Sequence, residues 1–387
     1  LEVTCDCSTD TACVLGFVWT AIQQREAHVR NIPKIVLTGG PCAGKTTALA
    51  YLRQKLGDFG FHILFVPEAA THLIDSGESA ADPSFQKNVL KLSLESADEA
   101  ERVAAELRHP RPVIICDRGI NARPYVNSHE EFEGLLRLHG MSFSDAFVRY
   151  LGVFHLRTAA DGAEEFYTLD NNAARRETPE EARVLDRATL EAWMGHPHLR
   201  VIPNRGTFEQ KLKHLLAEVC SLLGIPEPVE IEHKYLVNPD FSLAPLGAYQ
   251  EVDIEQFYLQ SERSEESLRF RKREQWGKAV HYRTRKWPGP DATSRFEVES
   301  VITAEEYEAG KRSIIPGSRI VRKKRICFVY EEQYFELDDF IDPVLEHCLL
   351  EIELAHRGAE IRLPPFLPII REVTGEAAFS NRSLARA

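Results

Sequence analysis

Residues 39–47 read Gly39-Gly40-Pro41-Cys42-Ala43-Gly44-Lys45-Thr46-Thr47, an order of residue types suited to holding a chain of phosphates. The spacing satisfies Gly-x4-Gly-Lys-Ser/Thr in full. Backbone N–H groups of such a loop, and of the helix it opens, point at the phosphates, and the helix dipole favours their charge. Gly44 lacks the Cβ that would keep a ligand at a distance. Lys45 is expected to reach the β- and γ-phosphates, and the Thr46 hydroxyl to bind Mg²⁺. Two carboxylates follow at the ends of apolar runs: Glu68 closes the stretch from Phe61, and Asp117 closes the stretch from Pro112. Asp117 has the character of an acid that holds or backs the Mg²⁺, and Glu68 of one that positions a nucleophile or a second metal. Either would orient an acceptor hydroxyl if this half is a kinase. Further on, Arg175, Arg176 and Arg183 precede a helix. They are placed either to clamp a transferring phosphate as part of a lid or to pair with Glu177, Glu180 and Glu181. No Asn-Lys-x-Asp guanine signature appears, so GTP and ATP both remain open as the nucleotide.

The second half carries charge at every other residue. Glu230, Glu232 and Lys234 alternate with Ile231, His233 and Tyr235. Arg269, Arg271 and Arg273 follow, then His281, Arg283 and Arg285, then the pair Glu297 and Glu299. Arg322 and Lys324, Glu336 and Asp338, and Glu351 and Glu353 complete the series. A solvated sheet face also alternates. Here, however, the signs are segregated, some strands offering only bases and others only acids. Carboxylates at i and i+2 converge well on divalent cations. The expected arrangement turns the charged faces inward and the apolar faces outward, the latter covered by helices. Glu230, Glu232, Glu351 and Glu353 would then hold Mg²⁺ or Mn²⁺, with Glu297, Glu299, Glu336 and Asp338 as further candidates. Lys234, Arg269, Arg271, Arg283, Arg285, Arg322 and Lys324 would bind a polyphosphate. Buried charge of a single sign would be prohibitive, so both signs must be present together.

These groups require two kinds of scaffold, and 387 residues are enough for two domains. Apolar runs at 35–37, 61–68, 112–119, 149–156 and 199–204, separated by helical stretches, imply a parallel sheet with helices on both faces. A glycine and two prolines at 224–228 end the helix Phe208 to Leu223 and mark the boundary. The reading is an N-terminal extension (1–30), an α/β P-loop domain with a kinase-like parallel sheet (31–226), and an antiparallel β-barrel domain of α+β type (227–387). The net charge of −12 argues against broad nucleic-acid binding. The apolar stretch Ala12 to Trp19 is too short to span a bilayer and lacks a basic flank, so neither a membrane span nor a signal peptide is expected. Cys5, Cys7 and Cys13 lack a fourth ligand nearby. Cys42 and Cys116 read as free thiols, which fits a reducing cytoplasm.

The first half resembles the P-loop kinase-like family that includes the nicotinamide-riboside kinase domain, through Gly39 to Thr46, Glu68, Asp117-Arg118 and the Arg175-Arg176 segment. Its Asp-Arg pair is also similar to that of nucleoside and thymidylate kinases. In the second half, Glu230-x-Glu232-x-Lys234 resembles the Glu-x-Glu-x-Lys signature of the CYTH, or triphosphate tunnel, superfamily. Arg269-x-Arg271, Glu297-x-Glu299, Glu351-x-Glu353 and the terminal Asn381-Arg382-Ser383-Leu384-Ala385 support it. The two halves together look like the TRPL translocation defect protein family. A related pairing with a uridine-kinase-like domain occurs in plant pyrophosphatases, and the Pro41-Cys42 pair fits the former better.

Two readings follow from the resemblance. In one, the P-loop holds GTP or ATP and the tunnel holds a polyphosphate or a phosphoinositide headgroup, as in a regulatory or trafficking protein with peripheral membrane contact. In the other, the tunnel is a Mg²⁺- or Mn²⁺-dependent triphosphatase in which Glu232 and its partners hold the ions and a metal-activated water attacks the terminal phosphorus.

Overall fold

A computed structural model describes residues 32–386 apart from 108, 110, 168–176, 226–228, 262, 264, 289–293 and 355–357, together with the backbone but not the side chains of 229, 230, 294 and 295. The expected extension, its three cysteines, the Arg175-Arg176 segment and part of the junction lie outside the described residues.

In the first half, β1 (Lys34–Thr38) runs into the glycine loop and then α1 (Lys45–Asp58). There follow β2 (His62–Val66), α2 (Ala69–Asp75), α3 (Phe85–Glu106), β3 (Pro112–Asp117), α4 (His129–Arg137), α5 (Phe143–Val148), β4 (Gly152–Leu156), α6 (Pro179–Trp193), β5 (Leu199–Ile202) and α7 (Phe208–Leu222). The strands form a parallel five-stranded sheet in the order β2-β3-β1-β4-β5. Its strands read as continuous apolar runs because both faces are covered, and β1 is buried throughout. One face packs on Leu52 and Leu56 of α1 and Leu215 and Val219 of α7. The other packs on Leu90 and Leu94 of α3 and Trp193 of α6. Register sets Leu37 beside Asp117 and Thr38 beside His155, so the carboxyl ends of the central strands finish at one edge. Ligands bind at that edge of an open α/β sheet. The expected strand over 149–156 is shorter: Arg149 caps α5 and β4 begins at Gly152.

In the second half the strands are β6 (Val229–Val237), β7 (Gln250–Leu259), β8 (Ser267–Gln275), β9 (Lys278–Pro288), β10 (Ser294–Ile302), β11 (Val321–Tyr330), β12 (Gln333–Asp342), β13 (Cys348–Leu354) and β14 (Ile369–Glu372). The helices are α8 (Ala304–Gly310) and α9 (Asn381–Leu384). This separate antiparallel sheet runs β10-β9-β8-β7-β11-β12-β13-β6-β14. The beginning of β6 also pairs with β10, Ile231 beside Ser294, so eight strands follow one another around a ring of hydrogen-bonded neighbours. The outward face is apolar only in part, since Arg322, Lys324, Glu251 and Glu255 stand on it beside the apolar stretches. Ile326, Phe328, Phe335, Leu337 and Ile352 lie under Phe241, Leu363 and Phe366. Phe257 and Leu259 lie against Tyr307 of α8. Loops therefore cover more of the ring than helices do. Among the described residues no helix is long and apolar enough to cross a membrane.

The two halves touch. Trp276, at the β8–β9 turn, sets its ring 4.2 Å from Phe143 and 5.1 Å from His129. Val329 and Tyr334 pack against the first domain's core.

Candidate functional site

The glycine loop sits at the carboxyl edge of the parallel sheet. Gly44 precedes α1 with φ of 83°, a left-handed conformation that suits glycine, and no side chain caps the helix. Gly40 is glycine for a different reason: a Cβ there would meet the Cβ of Asp186 at 2.7 Å. The close approach lets the Gly40 N–H donate to Asp186 Oδ1 at 2.8 Å. Asp186 is fully buried on α6, a helix set by the Thr178–Glu181 capping box and Pro179. Its carboxylate also accepts from Thr158 N–H and from Arg157 at 2.6 Å, and lies 3.3 Å from His155. Burial alone would raise the Asp186 carboxyl, but His155, Arg157 and the Gly40 N–H hold it below the ordinary carboxylate range. Behind the loop, Lys211 Nζ donates to the carbonyls of Ala43 and Arg157 and to Asn204 Oδ1. Burial pulls its ammonium down to about 8.

Around this loop a cleft of about 1680 Å³ collects Pro41 to Thr47 with Glu68, Asp117 and Arg118. Lys45 Nζ donates to Gly39 O at 3.1 Å, in the position of a lysine folded back onto its loop. Glu68 forms an ion pair with Arg118, Nε to Oε1 at 2.9 Å, and accepts from the Thr71 hydroxyl at 3.1 Å. Arg118 also donates to the Tyr125 hydroxyl at 2.6 Å. Asp117 Oδ1 is buried without a hydrogen-bond partner. Burial raises the Asp117 carboxyl, with Lys45 opposing. Asp117 and Thr46 line the same cleft, and the orphaned carboxylate oxygen with the Thr46 hydroxyl would suit a Mg²⁺, which would supply neutralising charge to a phosphate. The loop, Glu68 and Asp117 are thus brought together. Arg175 and Arg176 lie outside the described residues. Cys42 and Cys116 carry free thiols, and burial pushes that of Cys116 up to about 12.

Inside the ring the charged faces turn inward, and acids meet bases. Lys234 pairs with Glu232 at 2.9 Å and with Glu351. Arg325 pairs with Glu336, with Asp338 at 2.6 Å and with Glu351 at 2.6 Å. Arg271 meets Glu299 at 2.7 Å, while Arg269 lies 3.6 Å from Glu297 and 3.7 Å from Glu299. Burial alone would raise Glu299, but Arg271, Arg269 and the Thr284 hydroxyl hold it at about 2. Burial brings the Arg271 guanidinium down to about 10 against the pull of Glu299. Glu353 pairs with Arg200 of β5 at 2.7 Å. The side chain of Glu230 is outside the described set. Among the described residues no three His, Cys, Asp or Glu side chains group as a metal site. The expected carboxylates Glu232, Glu351 and Glu353 are instead engaged by lysine and arginine.

Two strands are in the opposite phase to the one expected. On β11 it is Lys323 and Arg325 that point inward, and they are buried. Arg322 lies outside on Glu255 at 3.0 Å, and Lys324 lies outside on Glu251 at 2.9 Å. On β9 the buried inner residues are Tyr282 and Thr284, followed by Lys286 on Glu297. Arg283 and Arg285 take the other face, where Arg285 binds Glu266 at 2.8 Å. A shift of one residue moves every side chain of a strand to the other face. The residues the sequence reading omitted are Asp186, Lys211, Arg200, Lys286, Lys323 and Arg325. Arg273 shares the period of Arg269 and Arg271, which was the available signal for it.

Residues 34–211 match the family model of the AAA domain. The match lies within the half that carries the glycine loop and covers less than half of the chain. Among solved structures, the inorganic triphosphatase NE1496 is 26% identical over 41% of this chain and 95% of its own, with a TM-score of 0.30. The PH1819 protein from Pyrococcus horikoshii OT3 is 24% identical over 32% of this chain and 76% of its own, at 0.27. The PH1012 protein from the same organism is 24% identical over 33% of this chain and 79% of its own, at 0.26. No curated protein matches the chain.

Proposed function

We propose that this protein binds a nucleoside triphosphate, GTP or ATP, on its glycine loop and a second, oligophosphate ligand inside its ring. The observation that carries the reading is the convergence of Lys234, Arg269, Arg271, Arg273 and Arg325 on one cavity, all but Lys234 nine-tenths or more buried. Buried bases in such number are costly unless balanced, and the carboxylates beside them supply that balance. A phosphate chain would take over those bases through charge-assisted hydrogen bonds. At the loop, the N–H groups of Ala43 to Thr46 would cradle the nucleotide phosphates while Lys45 swings from Gly39 O to the γ-phosphate. A Mg²⁺ held by Thr46 and Asp117 would supply neutralising charge there. Glu68 and Arg118 line the same cleft and would stand near a transferring group. The reading extends the resemblance to the TRPL translocation defect protein family, with a cytoplasmic or peripheral-membrane regulatory role.

Turnover in the ring is the second reading, favoured by the unbroken acidic set Glu232, Glu297, Glu299, Glu336 and Glu351 along the same cavity. One experiment tests both. Purified protein is titrated with GTP, ATP, tripolyphosphate and vesicles containing phosphoinositide, and phosphate release is followed with Mg²⁺ or Mn²⁺. Lys45→Ala should abolish nucleotide binding alone, and Arg271→Ala oligophosphate binding alone. Phosphate release lost in Glu232→Ala but retained in Lys45→Ala would make the ring a triphosphatase. Absence of any oligophosphate binding would remove the reading of the ring.

A further inference from the structure

The ring cavity is not built by the ring alone. One end is plugged by the chain's own carboxyl-terminal segment. Leu236, Tyr258, Val321 and Phe340 of the inner face pack on Leu384 and Ala385, and Lys323 donates to Asn381 Oδ1 at 3.0 Å. The other end faces the parallel-sheet domain. There Arg273 Nη2 donates to Gly195 O at 3.1 Å, and Arg200 reaches from β5 to Glu353 at 2.7 Å. The cavity, about 750 Å³, is lined by His198, Arg200 and His214 from one domain and by the ring's bases from the other.

The polar groups of this wall are incompletely satisfied. His198 Nδ1, Arg271 Nε and Arg273 Nη1 are buried without hydrogen-bond partners, and the two arginines are 8% and 6% exposed. Buried polar atoms without partners are uncommon in folded proteins and call for a ligand or ordered water. Arg200 is the base best placed to change partners. It lies between Glu218 at 3.3 Å and Glu353 at 2.7 Å, two carboxylates from two different domains. A guanidinium shared in this way keeps one carboxylate when an incoming anion displaces the other.

We infer that the ligand site of the ring is composite: Arg200, with His198 beside it, caps the end that faces the parallel-sheet domain and binds a terminal phosphate group in place of Glu353. Glu353 is then an internal stand-in for the ligand rather than a metal ligand. Because this chain's own residues cover both ends of the ring, the ligand the cap selects is a soluble oligophosphate rather than a headgroup held in a bilayer. The inference rests on the oligophosphate reading of the ring.

The test uses the full chain and tripolyphosphate, with affinity read by calorimetry. Arg200→Ala should weaken binding about tenfold, the loss of one charge-assisted contact, and Arg200→Lys should restore part of it. Glu353→Gln breaks the same interdomain pair but leaves the cap base available, so it should keep or tighten binding, which a merely structural role for Arg200 would not produce. His198→Asn should weaken binding with nucleotide affinity at the loop unchanged. Affinity within twofold of the parent in Arg200→Ala, or a loss in Glu353→Gln equal to that in Arg200→Ala, would overturn the composite site. Arg271→Ala separates this from failure of the underlying reading: if it too leaves tripolyphosphate binding unchanged, the ring does not hold the ligand at all. Binding to phosphoinositide vesicles but not to tripolyphosphate would also overturn the cap.

Discussion

Arg157 and Glu332 meet across the seam between the two domains, Nε to Oε2 at 3.0 Å. Arg157 also holds Asp186, which accepts the Gly40 N–H of the phosphate loop. Two ion pairs and one hydrogen bond therefore connect the nucleotide cleft to the β11–β12 turn of the ring. The terms differ in weight because their burial differs: Asp186 is fully buried, whereas the Glu332 side chain is 30% exposed. Asp186→Ala strips a buried carboxylate from Arg157 and His155 and should cost about 3–5 kcal/mol. Glu332→Ala should cost about 1 kcal/mol, as expected for a partly solvated pair. Urea denaturation of both variants and of the double variant checks the ranking. The double variant should fall short of additivity, because both carboxylates act on one guanidinium.

The Asp117 carboxyl gives a pH signature with two opposite signs. Burial raises its pKa, so on acidification it takes up a proton before an ordinary aspartate, whose value is about 3.9. A Mg²⁺ held by Asp117, as proposed, would require the carboxylate. Mg²⁺-dependent nucleotide affinity should therefore begin to fall at a pH above that ordinary value. Stability of the ligand-free protein runs the other way. A group whose folded pKa is raised binds its proton more readily when folded, so its contribution is present at low pH and is lost as pH rises toward the folded value. Asp117→Asn should flatten both dependences, as read by nucleotide titrations and thermal melts over a pH series.

Trp276 ties the ring to the first domain through rings rather than charges, with Phe143 edge-on at 4.2 Å and Phe147 at 6.3 Å. It remains 38% exposed, so Trp276→Ala should cost less than a core tryptophan, about 2 kcal/mol. Hydrogen exchange should quicken at Gly195 and its neighbours on the seam while the central strands β1 and β3 keep their protection.

Much of the parallel-sheet site was legible because its signals are local. The glycine loop lies between an apolar strand and a helix start, and Asp117 ends a run of apolar residues, so a few neighbours define where each stands. Asp186 was illegible for the opposite reason. It lies 146 residues from Gly40, on a helix whose pattern gives no sign of a buried acid, and only the fold brings the two together. Arg200 and Glu353 are likewise paired by the docking of two domains. In the ring, the alternation revealed a charged interior, but not the phase of every strand nor the ion pairs on the outside of β7 and β11. Arg322, Lys323, Lys324 and Arg325 are four consecutive bases, and charge alone cannot choose between their two faces.

The phase of β11 is set by the residues that follow. Ile326 and Phe328 must join Phe335 and Leu337 in the outer apolar layer, which places Arg322 and Lys324 outside with them and leaves Lys323 and Arg325 inside. The two pairs should therefore behave differently although they are chemically alike. Arg322 and Lys324 are 49% and 42% exposed in side chain, so their alanine variants should stay within about 0.5 kcal/mol of the parent and keep oligophosphate affinity. Arg325→Ala leaves Asp338 and Glu351 without their shared base and should cost about 3–5 kcal/mol. Arg325→Met keeps the stem but not the charge, and it should lose oligophosphate affinity to a similar degree. Lys323→Ala removes the bond to Asp338 and the one to Asn381, so it should also loosen the plug, read as faster hydrogen exchange at Leu384 and Ala385. Equal losses from the outer and inner pairs, in denaturation and tripolyphosphate titration alike, would return the strand to the opposite phase.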